Sequence, residues 1–116
     1  MNGLPSAWLH ANDELYSNRR GPAENVTVLA TAMAPTSMPN GTGEHEPIIV
    51  TIAYGKGRVF HDTLGHVGAT HKEPIVAMKS VDYSVLLQRG TEWAATGSVT
   101  IPLPSNFPAA DRTSIR

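Results

Sequence analysis

His66, in Leu64-Gly65-His66, is the residue best suited by type and setting to do chemistry. An imidazole titrates near neutrality, so it can act as a general base or ligate a metal. It follows a predicted strand, at the point where the chain leaves a sheet, and sites in open α/β sheets gather at the carboxyl ends of strands. Its plainer role is a ring that bonds nearby loop carbonyls. Glu44-His45-Glu46 is a second group, able to supply one or two donors to a divalent metal. Neighbours in an extended segment point to opposite faces, so Glu44 with Glu46, or His45 alone, can aim at one place. His66, His45 and Glu46 are therefore the candidate metal ligands. Asp13 and Glu14 form a third group, as reacting acids or as carboxylates that hold a loop through backbone amides. The catalytic candidates are His66 with an acid from Asp13, Glu14 or Glu46. His61 and His66 fall on opposite faces unless Gly65 bends the chain, and His71 reads as solvated.

The elements that must position these residues are short. Trp8 to Tyr16 reads as extended, with Trp8, His10, Asn12, Glu14 and Tyr16 on one face and Leu9, Ala11, Asp13 and Leu15 on the other. Arg20-Gly21-Pro22 breaks it. Residues 26–31 (VTVLAT) and 48–54 (IIVTIAY) read as strands. Both faces of the second are mainly apolar, which predicts cover on both sides. Gly55-Lys56-Gly57 predicts a three-residue hairpin connection with Gly57 left-handed, returning through residues 58–64. Lys56 and Arg58 then face solvent. Residues 80–96 read as a helix, with Ser80 as N-cap and Gly97 as a left-handed stop. Trp93 falls at core spacing on it, and Gly90 inside it predicts a close crossing. Residues 33–44 read as a mobile loop and 98–116 as an extended Pro-rich tail.

Composition bounds the rest. The 116 residues suit one small domain, with an apolar fraction of 41% and a charged fraction of 16%, both in the globular range. A net charge of −1 without a basic stripe argues against nucleic acid as a partner. Cysteine is absent, which removes disulfides, thiolate metal sites and a Cys nucleophile from this chain. The first residues lack a basic region followed by an apolar run, so no signal peptide is read, and the chain as given reads as unexported. No apolar run approaches the ~20 residues that span a bilayer, so no membrane is expected. Gly55-Lys56-Gly57 lacks the spacing and the Ser or Thr of a phosphate loop, and no G-x-S-x-G elbow is present. The Asn-x-Thr sequons at Asn25 and Asn40 read as chance.

Taken in order, Asn2-Gly3-Leu4-Pro5 followed by Trp8, Asp13-Glu14-Leu15-Tyr16, RGPAENVTVLATA (20–32), GTGEHEP (41–47), YGKGRVFHDTLGHVG (54–68), QRGTEWAATG (88–97) and VTIPLPSNFPAADR (99–112) resemble the ThuA-like family, over nearly the whole chain. Each motif alone is weak, but seven in sequence are specific. The resemblance implies an α/β fold, the C-terminal part of a flavodoxin-like, class I glutamine amidotransferase-like three-layer sandwich. The hairpin and one helix are present, and the parallel sheet of the front half is not. On this reading residues 1–116 are one incomplete domain, inactive by itself. The implied setting is carbohydrate utilisation, of trehalose or another disaccharide, with a small-molecule sugar as partner. A non-catalytic sugar-binding or accessory module is the alternative. The resemblance marks Leu64-Gly65-His66 as a shared feature near the pocket. Trp8 or Trp93 would then stack on a sugar face, and Asp13 or Glu14 would bind sugar hydroxyls. Glutamine hydrolysis is not expected, because the cysteine nucleophile of amidotransferases is missing.

Overall fold

The apolar run through Ile48 becomes the middle strand of a three-stranded sheet. The computed structural model describes residues 3–19, 21–68 and 75–116. In chain order they form β1 (Val26–Met33), β2 (His45–Tyr54), β3 (Gly57–Asp62), α1 (Val76–Lys79) and α2 (Val81–Thr96). Two compact units result: Leu15–Thr63 carries the sheet, and Met1–Glu14 with Leu64–Arg116 carries the helices. This is a small α/β chain. All strand pairs among the described residues are antiparallel, in the order β1-β2-β3, so the parallel sheet that the resemblance implies does not lie within them. No helix among the described residues is long and apolar enough to cross a membrane.

In the sheet unit, β2 and β3 form the expected hairpin, but the turn differs from expectation. Tyr54 pairs directly with Gly57, so the loop is two residues, Gly55-Lys56. The left-handed residue is Gly55, with φ 57°, and not Gly57. A glycine at the first central position is what a tight turn matching the strand twist requires. Lys56 and Arg58 are exposed there, as expected. Along β1, Val28 pairs with Val50 and Ala30 with Ile49, which leaves Leu29 out of the ladder as a bulge. The adjacent Ile48 and Ile49 are both buried, while Tyr54 at the other end of β2 is exposed. Between β1 and β2 the chain bonds to itself: Ala34 donates to the Glu44 carbonyl at 2.9 Å and Gly43 to the Ala34 carbonyl at 2.8 Å.

In the helical unit, α2 has the predicted bounds. Gly97 is left-handed, with φ 83°, and its N–H donates to the Trp93 carbonyl. Ser80 is at the N-cap position, yet its hydroxyl makes no cap bond; it donates to Asp82 instead. The buried stripe is Val81, Asp82, Val85, Leu86, Arg89 and Gly90. Trp93 is only half-buried, because it lies one turn past that stripe. Leu86 is fully enclosed, which is worth about 2 kcal/mol of hydrophobic burial. Val81 and Val85 pack with Phe107, against which lie Leu4, Trp8 and Leu103. The Trp8 and Phe107 rings meet edge to face, with centroids 5.9 Å apart. The tail beyond α2 turns at residues 105–106 and 110–111. It docks through Val81 N–H to the Ser114 carbonyl, Arg116 N–H to the Lys79 carbonyl and Leu9 N–H to the Ala109 carbonyl, each 2.9 Å. One helical turn, α1, was not anticipated, since four residues are too few to show a period.

Candidate functional site

Residues 3–14 lie on the start of α2 without joining a ladder. The apolar anchors Leu4 and Trp8 hold them on the Val81–Val85 face, and this sets the polar side chains between them. The simple alternation read from the sequence fails here. His10 and Asp13, assigned to opposite faces, are bonded, with Nε2 and Oδ2 3.0 Å apart. The other ring nitrogen, Nδ1, lies 2.8 Å from Asp82 Oδ2. Asp82 is a wholly buried carboxylate that also accepts Trp8 Nε1 at 2.8 Å and the Ser80 hydroxyl. Burial pushes the Asp82 carboxyl up, but its bonds to His10 and Ser80, the His10 charge and the Trp8 bond outweigh that and hold it below the usual range. Its place in the first turn of α2 also favours the anion, because unpaired helix N–H groups gather there.

Asp13 links this buried group to His66. Its Oδ2 accepts the Gly65 amide at 2.7 Å, and its Oδ1 accepts the His66 amide at 3.1 Å and the Glu14 amide at 2.8 Å. The turn needs Gly65. Its φ is 84°, and a Cβ would come within 2.5 Å of the Tyr83 ring. The turn presents His66 to Glu14, with Nε2 and Oε2 2.9 Å apart. Exposure rises along the series: Asp82 0%, Asp13 7%, His10 14%, His66 25%, Glu14 56%. His66 and Glu14 thus stand at the solvent edge, and the other three act behind them.

Three of the four catalytic candidates, His66, Asp13 and Glu14, therefore come together. Asp13 takes the amide-holding role. Glu46 lies in the sheet unit, where its Oε1 accepts the Thr42 hydroxyl at 2.7 Å and the Asn18 amide at 3.3 Å. It lines an open cleft of about 490 Å³ with Asn18, Asn40, Gly41, Thr42 and Glu44. His45 is exposed on β2, 3.4 Å from the Thr31 hydroxyl. Of the candidate metal ligands, His66 lies in the helical unit and His45 and Glu46 in the sheet unit; among the described residues no group of three or more His, Asp or Glu that could hold a metal ion is found. His61 lies beside Arg19, with Nε2 and Nη1 3.2 Å apart. His71 lies outside the described residues. Trp8 is half-buried, in edge-to-face contact with Phe107 and with its Nε1 on Asp82, so packing and a hydrogen bond occupy it.

Sequence reasoning missed His10 and Asp82. His10 stood beside Trp8 on the predicted face, three positions before Asp13, and that spacing was the available signal. Nothing local pointed to Asp82, since an acid in the first turn of a helix is ordinary.

A family model described as "Trehalose utilisation", ThuA, matches residues 1–94. Among solved structures the chain is similar to the crystal structure of a ThuA-like protein from Parabacteroides merdae, with a TM-score of 0.88 and 47% sequence identity. The match covers 99% of this chain and 40% of that one, so the chain spans less than half the length of that relative. No match is found among curated proteins.

Proposed function

Because the chain belongs to the ThuA, trehalose-utilisation family, we propose that it carries the His66–Glu14 element of a site that processes trehalose or another disaccharide. The observation that carries this reading is the pair at 2.9 Å, at the solvent edge and held on a turn clamped by Asp13. A histidine paired with a carboxylate can take up a proton from a sugar hydroxyl or from water, with the carboxylate stabilising the imidazolium that forms. Glu46, in the other unit, is not needed by this reading.

The finer assignment follows the same line. The chain reads as the C-terminal part of a flavodoxin-like, class I glutamine amidotransferase-like sandwich. It is read as inactive by itself. With no cysteine in the chain, glutamine hydrolysis is not expected of it.

The alternative, a non-catalytic sugar-binding or accessory module, is favoured by one feature. The Asp13 and Asp82 carboxylates and both His10 nitrogens are already bonded within the protein. Amide NMR of the chain, titrated with trehalose and a panel of disaccharides, tests both. Saturable shifts at Glu14, Gly65 and His66, weakened in His66→Ala and without sugar turnover by the chain alone, are expected. If no disaccharide moves these amides, or if His66→Ala binds as wild type does, the His66 reading fails. Turnover by the chain alone would overturn its inactivity.

A further inference from the structure

An ionised carboxylate only accepts hydrogen bonds. The His10 ring meets one carboxylate at each nitrogen, Asp82 at 2.8 Å and Asp13 at 3.0 Å. A neutral imidazole has one N–H, so it would satisfy one of these oxygens and turn a lone pair on the other. An imidazolium satisfies both. Both carboxylates are otherwise surrounded by donors, as anions are: Trp8 Nε1 and the Ser80 hydroxyl at Asp82, and the Glu14, Gly65 and His66 amides at Asp13.

We propose that His10 is a proton-operated positioning residue. Its imidazolium ties the buried Asp82 of α2 to Asp13, and Asp13 in turn sets the Gly65–His66 turn that carries the His66–Glu14 pair. The ionisable groups bonded to the ring are Asp13 from its own segment and Asp82 from α2. The turn brings His66, itself paired with Glu14, and the C-terminal segment brings Phe107, which is apolar, to Trp8. No cation is bonded to the ring in these contacts, while two anions are. Burial pushes the His10 pKa down, but the bonds to and charges of Asp82, then of Asp13, outweigh it and raise it above the ordinary histidine range. On deprotonation the shorter bond, to the fully buried Asp82, keeps its proton, and the contact to Asp13 is lost. Asp13 is then held by backbone amides alone, and the turn loosens. What the turn does with a sugar rests on the reading above, but the proton linkage does not.

The test is a sugar-free ¹⁵N NMR titration of the whole chain through the histidine range, from about pH 5 to about 9. Both His10 ring nitrogens are expected to be protonated at about pH 7. The Gly65 and His66 amides should follow the His10 midpoint, and His10→Gln should remove that component. A singly protonated His10 ring at about pH 7, or Gly65 and His66 amides that ignore its titration, overturns the proposal. Should His10→Gln not fold, Asp13→Asn carries the test: a lowered His10 midpoint supports the linkage, and an unchanged one refutes it. Because no sugar is present, this result and the disaccharide titration fail independently.

Discussion

The Trp8 indole nitrogen donates to Asp82 Oδ2 at 2.8 Å, a bond between residues 74 positions apart in the chain. It places the N-terminal segment on the first turn of α2, with the apolar contact of Trp8 on Phe107 beside it. One carboxylate thus receives an indole, an imidazole and a hydroxyl.

Asp82→Asn should be the most damaging isosteric change in this group. The amide must turn its NH₂ towards at least one donor, and the imidazolium loses a buried counter-charge. Removing one partner of a buried pair costs about 3 kcal/mol. Urea denaturation at neutral pH measures this, and a loss below about 1 kcal/mol would show that Asp82 is not the hub described here.

His10 gives a pH signature. Its folded pKa is raised, so its contribution to stability is full below the unfolded value of about 6.5 and is lost as pH rises through the folded value. For Asp82 the folded pKa is lowered, so its contribution is present above the unfolded value of about 3.8 and is lost as pH falls through the folded value. The difference in Tm between wild type and His10→Ala should therefore be largest near pH 5 to 6 and shrink towards about pH 9. A difference that grows on the alkaline side contradicts the assignment.

Gly65→Ala should destabilise by two separable routes. The left-handed φ costs about 1–2 kcal/mol for any residue with a Cβ, and the new methyl meets the Tyr83 ring. Tyr83→Ala in the same chain should relieve the second part only. A double-mutant cycle measures the coupling, and strict additivity would mean that the ring moves aside freely.

Glu92 staples the end of α2 to the segment beyond it. Its carboxylate accepts the Thr100 amide and hydroxyl and, at 3.1 Å, the Ile101 amide. These bonds, first the Thr100 hydroxyl and then the Ile101 amide, hold its pKa low. Glu92→Ala should speed hydrogen exchange at Thr100 and Ile101 while leaving Gly65 and His66 unchanged. In wild type the same acceleration should appear only as pH falls through the lowered carboxylate value, because the acceptor is the anion. Unaltered exchange at Thr100 in the variant would remove the staple.

Much of the local structure was legible in the residues themselves. An apolar, β-branched run and a glycine-bounded turn announce the β2–β3 hairpin, and helix-period spacing between Ser80 and Gly97 announces α2 with its left-handed stop. These signals are local, since strand pleat, helix period and left-handed glycine depend on a residue and its near neighbours. His66, Asp13 and Glu14 were legible as types of group. The exchange of Gly57 for Gly55 at the turn was not, because one residue of register decides it. The His10–Asp82 bond spans 72 positions and the Asp13–Gly65 bond 52. No periodicity reaches that far. Packing of Trp8 and Leu4 on the Val81–Val85–Phe107 cluster decides which acid meets which ring. An unremarkable first-turn aspartate and an unnoticed histidine become the buried end of the site through that packing, since a charge taken out of water must find its donors wherever the fold supplies them.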